Sequence, residues 1–350
     1  MLNSPAKPSM LLPYLHRVAA RENLSAEDAR QAMLVILNGE SSTAQIAAFL
    51  VALKMKGETS DELLGFARAM REKAAPVNAE LDGVPLLDTC GTGGDGGNTF
   101  NISTVAAFVV AGAGVRVAKH GNRSLASPCG SADLLEALGI NIAISVDQAA
   151  RAIREVGIGF LFAPALHPAM KHAQPARLEL RMRTVFNLLG PLTNPAGARR
   201  QLIGAPSVDA AELMADALAG LGCDHAFVVH GSDGLDEITT TGSSAVFEVE
   251  DGRVRRFSWT PKDFGVEQAT AHDLAGGDRV VNRQIAMAVL KGEPGRRREI
   301  VLVNAAAALV AAGLVSDVRE GMQRAAEAID SGAAWAKVER LAQFSFSPST

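Results

Sequence analysis

The chain has 350 residues, of which 48% are hydrophobic and 21% charged, so a disordered chain is excluded and two domains or one large α/β domain are expected. Aromatic residues make up only 5%, which predicts a core packed through Ala, Val, Leu and Ile. The formal net charge of −4 excludes a general basic surface for nucleic acid or for an anionic membrane.

We expect neither a leader nor a membrane segment. Residues 1–9 carry Pro5 and Pro8 but lack the apolar core of a signal peptide. The longest apolar stretch, residues 300–315, is shorter than the roughly 20 residues that a spanning helix needs. Three cysteines without CxxC spacing predict neither a disulfide framework nor a zinc site. We therefore expect a cytoplasmic protein.

The first 75 residues are expected to be helical. Ser25 with Asp28, and Thr59 with Glu62, have the spacing of a helix cap and its first-turn partner. Pro76 then stops the last helix and begins a linker. The predicted segments are helices over 25–39, 43–56 and 59–75, and a linker over 76–85.

From residue 84 onward, short apolar runs alternate with amphipathic segments, which is typical of βαβ units and a mostly parallel sheet. Asp251 and Gly252 are a type I′ turn signal and predict a β-hairpin over 245–258. The tail beyond residue 280 is expected to be helical. The predicted strands are 86–89, 115–118, 159–162, 201–204 and 225–229, and the predicted helices include 104–113, 131–138 and 210–221.

Residues 167–194 interrupt this alternation with a helical stretch and a turn that contains Pro191 and Pro195. We interpret the interruption as an excursion back to the N-terminal helices. The predicted organisation is a helical domain over 1–75, joined in space by about 170–195, and an α/β domain over 85–350. A cleft would lie between the two bodies.

A glycine-rich loop, residues 91–97, directly follows the first predicted strand and lets backbone N–H groups approach an anion. It contains a formal GxGxxG, the pattern of a dinucleotide site. An NADP-dependent oxidoreductase is nevertheless disfavoured, because residues 98–103 intervene before the helix and the next strand ends in Lys119 and His120 rather than an acid. A plain turn is the structural alternative.

Asn101, Ser103 and Thr104 stand at the start of the helix after this loop. Side-chain oxygens there cap orphan N–H groups, while the same helix end is suited to an anion and its serine to a metal ion. Capping and ligand binding both stay open for these residues.

A basic loop, residues 119–124, follows the second strand. The carboxyl ends of parallel strands share one edge of the sheet, so this loop is expected to meet the glycine-rich loop. Lys119 and Arg123 would then face a multiply charged phosphate ligand. A solvated basic turn is the alternative, and His120 is expected to form hydrogen bonds rather than act as a base.

Asp236 and Glu237 follow the fifth predicted strand at the same edge. Adjacent carboxylates repel, and Mg²⁺ commonly takes one or two carboxylates together with phosphate oxygens. The pair predicts a magnesium site, with an exposed acidic turn as the alternative.

Three arginines, Arg177, Arg181 and Arg183, lie in the excursion. Arg177 and Arg181 are four residues apart and would share a helix face, while Glu179 is placed to pair with Arg183. The functional alternative is that one arginine reaches the cleft and binds a substrate carboxylate. Spacing does not select which one.

Taken together, these motifs closely resemble the anthranilate phosphoribosyltransferase family. The resemblance runs from about residue 25 to the last helix and is carried by residues 91–95, 99–104, 119–123, 130–133, 167–170, 190–195 and 236–237. It implies an α/β fold in which a small all-helical domain is joined to a larger α/β domain with a mostly parallel central sheet. The expected enzyme is a homodimer of tryptophan biosynthesis that transfers phosphoribose from phosphoribosyl pyrophosphate to the amino group of anthranilate.

The resemblance also implies roles for individual residues. Lys119 would stabilise the leaving group, and Mg²⁺ would be served by Ser103, Asp236 and Glu237. Phosphoribosyl pyrophosphate would contact Gly91, Gly94, Asp95, Thr99, Asn101, Ile102, Ser103, Thr104, Lys119, His120, Gly121, Asn122, Arg123, Ser124, Leu125, Ala126, Ser127 and Ser131. Anthranilate would contact Gly91, Asn122, His167, Met170, Arg177 and Pro191, which selects Arg177 from the three arginines.

The chain departs from the family where Ser-Ser-Lys-Ser commonly follows the basic loop, because it has Ala126, Ser127, Pro128 and Cys129. One hydroxyl and one cation are therefore missing from a phosphate-facing region. Two alternative functions stay open: a pyrimidine nucleoside phosphorylase and a non-enzymatic nucleic-acid-binding relative. The intact basic loop and carboxylate pair argue against the first, and the acidic net charge against the second.

Overall fold

The computed structural model describes residues 10–81, 83–93, 99–124 and 128–347. The predictions made for residues 1–9 and for Gly94, Asp95, Leu125, Ala126 and Ser127 lie outside these ranges. Within them, no helix combines the length and the apolar character that crossing a bilayer requires.

The N-terminal part of the chain is helical, as predicted. Ser25 accepts a hydrogen bond from the N–H of Asp28 and Thr59 accepts one from the N–H of Glu62, so both expected caps are formed. The sequence pattern did not predict a separate helix over residues 12–19, and the helix predicted over 59–75 ends two residues earlier, at Lys73. The helices are α1 (Leu12–Ala19), α2 (Ala26–Leu37), α3 (Thr43–Lys56) and α4 (Ser60–Lys73).

The rest of the chain alternates strands and helices and confirms the predicted fold class. Its strands are β1 (Leu86–Gly91), β2 (Arg116–Gly121), β3 (Ile158–Phe162), β4 (Arg200–Gly204), β5 (His225–Gly231), β6 (Ser244–Glu250) and β7 (Arg253–Trp259). Its helices are α5 (Ile102–Gly112), α6 (Ser131–Ala137), α7 (Val146–Glu155), α8 (Ala163–Leu166), α9 (Gln174–Leu180), α10 (Phe186–Leu189), α11 (Val208–Gly220), α12 (Pro261–Phe264), α13 (Arg279–Leu290), α14 (Arg296–Ala311), α15 (Val318–Asp330) and α16 (Ala333–Ser345).

The described strands form one sheet with the order β3-β2-β1-β4-β5-β6-β7. Strands β1 to β5 are parallel, whereas β6 and β7 are antiparallel. The β6–β7 hairpin turns at Asp251 and Gly252, which both have positive φ as a type I′ turn requires. Because β2 and β4 lie on opposite sides of β1, the strand order reverses at β1, and a ligand site is expected at the carboxyl end of that strand.

Two large apolar clusters cover the two faces of the sheet. Small residues of α5 and α14, such as Ala106 and Ala306, pack against one face, in line with the low aromatic content. The other face is covered by α11, whose Met214 and Leu218 share a cluster with the N-terminal helices. The helical part of the protein is thus packed onto the α/β part through α11.

The excursion consists of short pieces rather than one long helix. A 3₁₀ turn over Pro168–His172 packs on α2, and α9 packs on α3, so this segment lies with the N-terminal helices. Helix α9 ends at Leu180, and Arg181 is left-handed with φ 47°. The prediction that Arg177 and Arg181 share a helix face is therefore wrong, because the helix stops between them.

Candidate active site

The carboxylate pair lies at the carboxyl edge of the sheet, beside the start of the glycine-rich loop. Asp236 Oδ2 accepts hydrogen bonds from the N–H of Gly93 at 2.8 Å and from the hydroxyl of Thr92 at 3.4 Å. Glu237 Oε1 accepts one from the N–H of Ser103 at 3.0 Å. Both carboxylates are buried. The alternative of an exposed acidic turn is therefore wrong.

This placement depends on two glycines. A Cβ atom on Gly204 would lie 1.5 Å from the carbonyl oxygen of Asp236, and one on Gly91 would lie 2.6 Å from its Oδ2. No side chain fits at such distances, so the ends of β1 and β4 must be glycine for Asp236 to lie against them.

The electrostatics of the pair favour a cation. Burial and the neighbouring Asp236 raise the pKa of Glu237 to about 8, against an opposing effect of Lys119 and of hydrogen bonds from Ser103. No group of three or more His, Cys, Asp and Glu side chains able to hold a metal ion occurs in the ranges that the structure describes. Two carboxylates and one hydroxyl, completed by water and phosphate oxygens, are nevertheless a donor set that suits Mg²⁺.

Lys119 is buried beneath the loops rather than exposed on them. Its Nζ donates to the carbonyl oxygen of Thr89, and Asp88 lies close enough to act on it electrostatically. Burial lowers the pKa of Lys119 below its usual value, and the nearby carboxylates of Asp88 and Glu237 oppose this shift. The lysine thus brings a positive charge to the carboxylate pair from within the sheet.

Asn101 has a different role from the expected helix cap. It occupies the N-cap position of α5 without a side-chain cap hydrogen bond. Its Nδ2 donates to the carbonyl oxygen of Cys129 at 2.9 Å, and its Oδ1 accepts from Asn282 Nδ2 at 3.1 Å. The side chain therefore ties the start of α5 to the loop before α6 and to α13. Thr104 is buried in the same helix.

Arg123 extends from the basic loop toward α6. Its guanidinium pairs with Asp133 at 2.9 Å and with Glu136 at 2.7 Å, and these hydrogen bonds raise its pKa above the usual range. In the same loop the carbonyl oxygen of Asn122 accepts from Ser131 Oγ at 3.1 Å. Ion pairing, rather than full solvation, thus fixes Arg123 beside α6.

Two histidines meet on the side of the site nearer the excursion. The rings of His120 and His167 are 5.2 Å apart, and His120 Nδ1 bonds to the carbonyl oxygen of Gly190 at 3.1 Å. Burial, and for His120 also the nearby His167, lowers their pKa values to about 3 and about 4. Each Nε2 is buried without a hydrogen-bond partner among the described residues. Both imidazoles are therefore neutral at pH 7, next to the turn that contains Pro191.

Of the three arginines, Arg177 is the half-buried one. Its guanidinium lies over the ring of Phe186 at 5.3 Å, and burial lowers its pKa. Arg181 is exposed. Arg183 does not form the predicted pair with Glu179 in the described structure, and its Nη2 instead donates to the carbonyl oxygen of Gly93 at 2.6 Å.

Sequence reasoning missed the residues that support the site from below. Asp88 is a fully buried carboxylate that accepts from the N–H of His120 at 3.1 Å and from Asn194 Nδ2 at 2.8 Å. Within the sequence, Asp88 is the single charged residue of the predicted strand 86–89. A lone charged residue within a strand expected to be buried was the one available signal.

Comparison with known protein families divides the chain into the same two parts. Residues 12–74 match the helical bundle domain of a glycosyl transferase family, and residues 83–335 match the a/b domain of that family. Both matches follow the observed architecture, a helical bundle followed by a largely parallel sheet with helices on both faces.

Similar proteins cover nearly the whole chain. An anthranilate phosphoribosyltransferase of Solibacter usitatus is 66% identical over 96% of this chain and 99% of its own length. The crystal structure of the Thermus thermophilus anthranilate phosphoribosyltransferase is 43% identical, covers 95% of this chain and 99% of its own, and superposes with a TM-score of 0.89. The Saccharomyces cerevisiae enzyme in complex with PRPP and Mg is 29% identical, with a TM-score of 0.87 and coverage of 97% and 98%. The fold, the paired carboxylates at the sheet edge and this extent of identity together place the chain in the anthranilate phosphoribosyltransferase family.

Proposed function

We propose that the chain transfers the phosphoribosyl group of phosphoribosyl pyrophosphate to the amino group of anthranilate, giving N-(phosphoribosyl)anthranilate and pyrophosphate in tryptophan biosynthesis. The observation that carries the proposal is that the carboxylate pair joins two candidate phosphate-binding elements at one point. Asp236 binds the glycine-rich loop at Gly93, and Glu237 binds the start of α5 at Ser103.

Phosphoribosyl pyrophosphate is assigned to this sheet edge. The N-terminus of α5 lies at this edge, and a helix N-terminus is suited to anions. Lys119 supplies a buried positive charge. Ion pairing holds Arg123 beside the loop. Lys119 and Arg123 are thus held near this edge by contacts within the protein.

Mg²⁺ is assigned to Asp236, Glu237 and Ser103. The metal, when bound, neutralises negative charge on the diphosphate. The chain's own part is to hold two carboxylates side by side in a buried position, at the cost of their mutual repulsion. The S. cerevisiae relative in complex with PRPP and Mg supports the use of magnesium.

Anthranilate is assigned to the side of the site lined by His167, Met170, Pro191 and Arg177. The half-buried guanidinium of Arg177 is suited to its carboxylate, because charge-assisted bonds are strengthened where water is excluded. His120 and His167 are neutral at pH 7 and so add no charge on this side of the site. An S. cerevisiae relative in complex with 4-fluoroanthranilate supports the class of acceptor.

The chemistry requires orientation and charge stabilisation more than a base. The bond between the anomeric carbon and the diphosphate oxygen breaks, the bond from that carbon to the anthranilate nitrogen forms, and the amine proton leaves to solvent. Negative charge collects on the diphosphate, where Lys119 and the loop N–H groups oppose it. Arg177 fixes the acceptor so that its nitrogen lone pair faces the ribose.

The two alternative functions have less support. The near relatives are named as anthranilate phosphoribosyltransferases and not as phosphorylases. A nucleic-acid-binding relative would not need the buried carboxylate pair, which this chain keeps.

We also propose a cytoplasmic homodimer and keep the division into a helical domain, 1–75 with about 170–195, and an α/β domain, 85–350. The packing of α9 on α3 supports the division. Exposed Met10 and Met55 on the helical part support a self-association surface there.

The test follows the loss of anthranilate fluorescence after purified protein is mixed with phosphoribosyl pyrophosphate and Mg²⁺. Turnover should depend on the metal and should be abolished in the double variant Asp236→Asn, Glu237→Gln, which keeps side-chain size and an acceptor for the Ser103 N–H. Glu293→Gln, an exposed carboxylate away from the sheet edge, is the matched control. Absence of turnover above the magnesium-free reaction would overturn the proposal.

A further inference from the structure

Arg183 joins the excursion to the glycine-rich loop across the cleft. Its main chain belongs to the segment that lies with the N-terminal helices, whereas its Nη2 donates to the carbonyl oxygen of Gly93 at 2.6 Å. Hydrogen bonds from a charged donor are stronger than neutral ones. The contact therefore links the excursion directly to the start of the glycine-rich loop.

The main chain that carries Arg183 is fixed on its C-terminal side. The N–H of Thr184 donates to Asn187 Oδ1 at 3.0 Å. Val185 and Phe186 are buried in the cluster that contains the N-terminal helices. On the other side, left-handed Arg181 ends the run of α9 and redirects the chain. The Arg183 side chain is itself exposed, and it extends from a main chain that is held in place on both sides.

Gly93, in contrast, has little packing of its own. It is left-handed with φ 66°, and nothing lies within 4 Å of the position where a Cβ would be. Its N–H donates to Asp236 Oδ2 at 2.8 Å, and its carbonyl oxygen accepts from Arg183. The orientation of this residue therefore depends on one carboxylate of the candidate metal site and on one arginine of the excursion.

We propose that Arg183 is a positioning residue that holds Gly93, and with it the start of the glycine-rich loop, in the orientation that binds the magnesium complex of phosphoribosyl pyrophosphate. This inference rests on the function proposed above. Arg183 touches neither substrate in this assignment and acts through the Gly93 carbonyl.

The same segment carries the acceptor arginine. Phe186, three residues after Arg183, lies under the guanidinium of Arg177. The segment that is assigned to orient anthranilate thus also fixes the loop that is assigned to bind the phosphoribosyl donor. A change in this segment when anthranilate binds would therefore also act on the glycine-rich loop that is assigned to the phosphoribosyl donor.

The test compares Arg183→Gln, Arg183→Lys and Arg181→Gln by calorimetric titration with phosphoribosyl pyrophosphate and Mg²⁺, and by steady-state kinetics. We expect Arg183→Gln to weaken donor binding and raise its KM by about tenfold, the effect of losing one charge-assisted hydrogen bond. The KM for anthranilate should change by less than about twofold. Arg183→Lys should recover most of the loss, and Arg181→Gln, which removes an exposed neighbouring guanidinium, should behave as wild type.

A double-mutant cycle tests the route through Gly93. Gly93→Ala places a side chain at a left-handed position and should also weaken donor binding. If Arg183 acts through Gly93, Arg183→Gln in the Gly93→Ala background should cost about twofold or less. Additive losses would show that Arg183 acts elsewhere and would overturn the inference.

The remaining outcomes separate this inference from the proposed function. A selective rise in the KM for anthranilate would mean direct contact with the acceptor, and wild-type donor binding in Arg183→Gln would mean no role, so both results overturn the inference. Both leave the proposed function intact, because wild-type protein would still turn over. A lowered melting temperature of ligand-free Arg183→Gln, with all kinetic constants scaled alike, would indicate a merely structural contact and would also overturn it.

Discussion

The side-chain amide of Asn194 donates hydrogen bonds of 2.8 Å to the buried carboxylate of Asp88 and of 2.8 Å to the carbonyl oxygen of Ala118. Its Oδ1 accepts from the N–H of Ala196 at 2.9 Å. The side chain of Asn194, in the excursion, therefore uses its amide group and its oxygen in hydrogen bonds. Two of these bonds join it to the central strands β1 and β2, and β1 leads to the glycine-rich loop. The histidine at 120 strengthens the same junction through its bond to Gly190.

Asn194→Asp should destabilise the protein strongly. The substitution keeps the size and the acceptor but replaces two donated hydrogen bonds by a carboxylate that faces Asp88 in a buried position. The expected loss in the free energy of unfolding is on the order of 3 kcal/mol. Urea denaturation at pH 7 measures it.

Asn78→Asp provides the control for that measurement. Asn78 is exposed and its Oδ1 accepts from the N–H of Glu80 at 3.1 Å, a bond that aspartate retains. It should lie within about 0.5 kcal/mol of wild type. Equal stabilities of the Asn78 and Asn194 variants would show that the buried junction does not stabilise the fold.

Arg177→Ala should mainly impair the use of anthranilate. The KM for anthranilate is expected to rise by about tenfold to a hundredfold, as for the loss of one charge-assisted interaction in a half-buried site. The KM for phosphoribosyl pyrophosphate should be nearly unchanged. Initial rates from anthranilate fluorescence, measured with each substrate varied in turn, give both constants.

The chain contains a matched control for Arg177. Arg256 lies over the ring of Phe247 at the same distance of 5.3 Å, but on β7 and away from the cleft. Arg256→Ala removes a comparable stacking contact and should leave both KM values unchanged. Unaltered anthranilate kinetics in Arg177→Ala would mean that a different residue binds the carboxylate.

Much of the fold could be predicted because its signals are local. Caps at Ser25 and Thr59 depend on partners three residues away, and the turn at Asp251 and Gly252 on two adjacent residues. The strand ends were less well predicted. The predicted strand ended at Thr89, because glycine is a poor strand former. In the structure β1 continues to Gly91, which pairs with Gly204 of β4.

The site was only partly predictable because its contacts join distant parts of the chain. The bond between Ser103 and Glu237 spans 134 residues. It depends on strand order, which places β5 two strands from β1. The motifs identified the side chains, but not that Lys119 is buried, that Asn101 bonds to Asn282, or that Arg183 rather than Arg181 crosses the cleft. Burial and partners of this kind follow from tertiary packing alone.

Gly204→Ala should remove magnesium-dependent turnover without the loss of any functional side chain. The added Cβ would lie 1.5 Å from the carbonyl oxygen of Asp236, so that residue must move. A displacement of about 1 Å in a positioned group can cost about a hundredfold in rate, and we expect at least that. Steady-state kinetics together with a thermal melt measure the effect.

Gly112→Ala is the control for a clash that is far from the site. Its Cβ would lie 2.7 Å from the backbone nitrogen of Ala334, between α5 and α16. The variant should melt at a lower temperature but keep the KM values of wild type. If Gly204→Ala retained full turnover, the close approach of Asp236 to β4 would not be needed for activity.

The buried histidines predict a decline in stability on mild acidification. Burial lowers the pKa of His120 to about 3 and of His167 to about 4 in the folded protein, whereas an unfolded chain titrates near its ordinary value of about 6.5. Between these values the unfolded state binds more protons, so the free energy of unfolding falls as pH falls from about 6.5 toward 4, by up to about 1.4 kcal/mol per pH unit for each histidine. Above pH 7 the two histidines contribute no slope.

Urea denaturation of wild type and of His167→Phe is measured at about pH 7.5, 6 and 5. The comparison isolates the contribution of His167 from that of the carboxylates. The phenylalanine keeps a ring against His120 but has no proton to gain, so its stability should decline less steeply below pH 6.5 than that of wild type. His272→Gln removes an exposed imidazole and should keep the wild-type slope. A slope in His167→Phe equal to that of wild type would show that burial of His167 is not what makes the fold sensitive to acid.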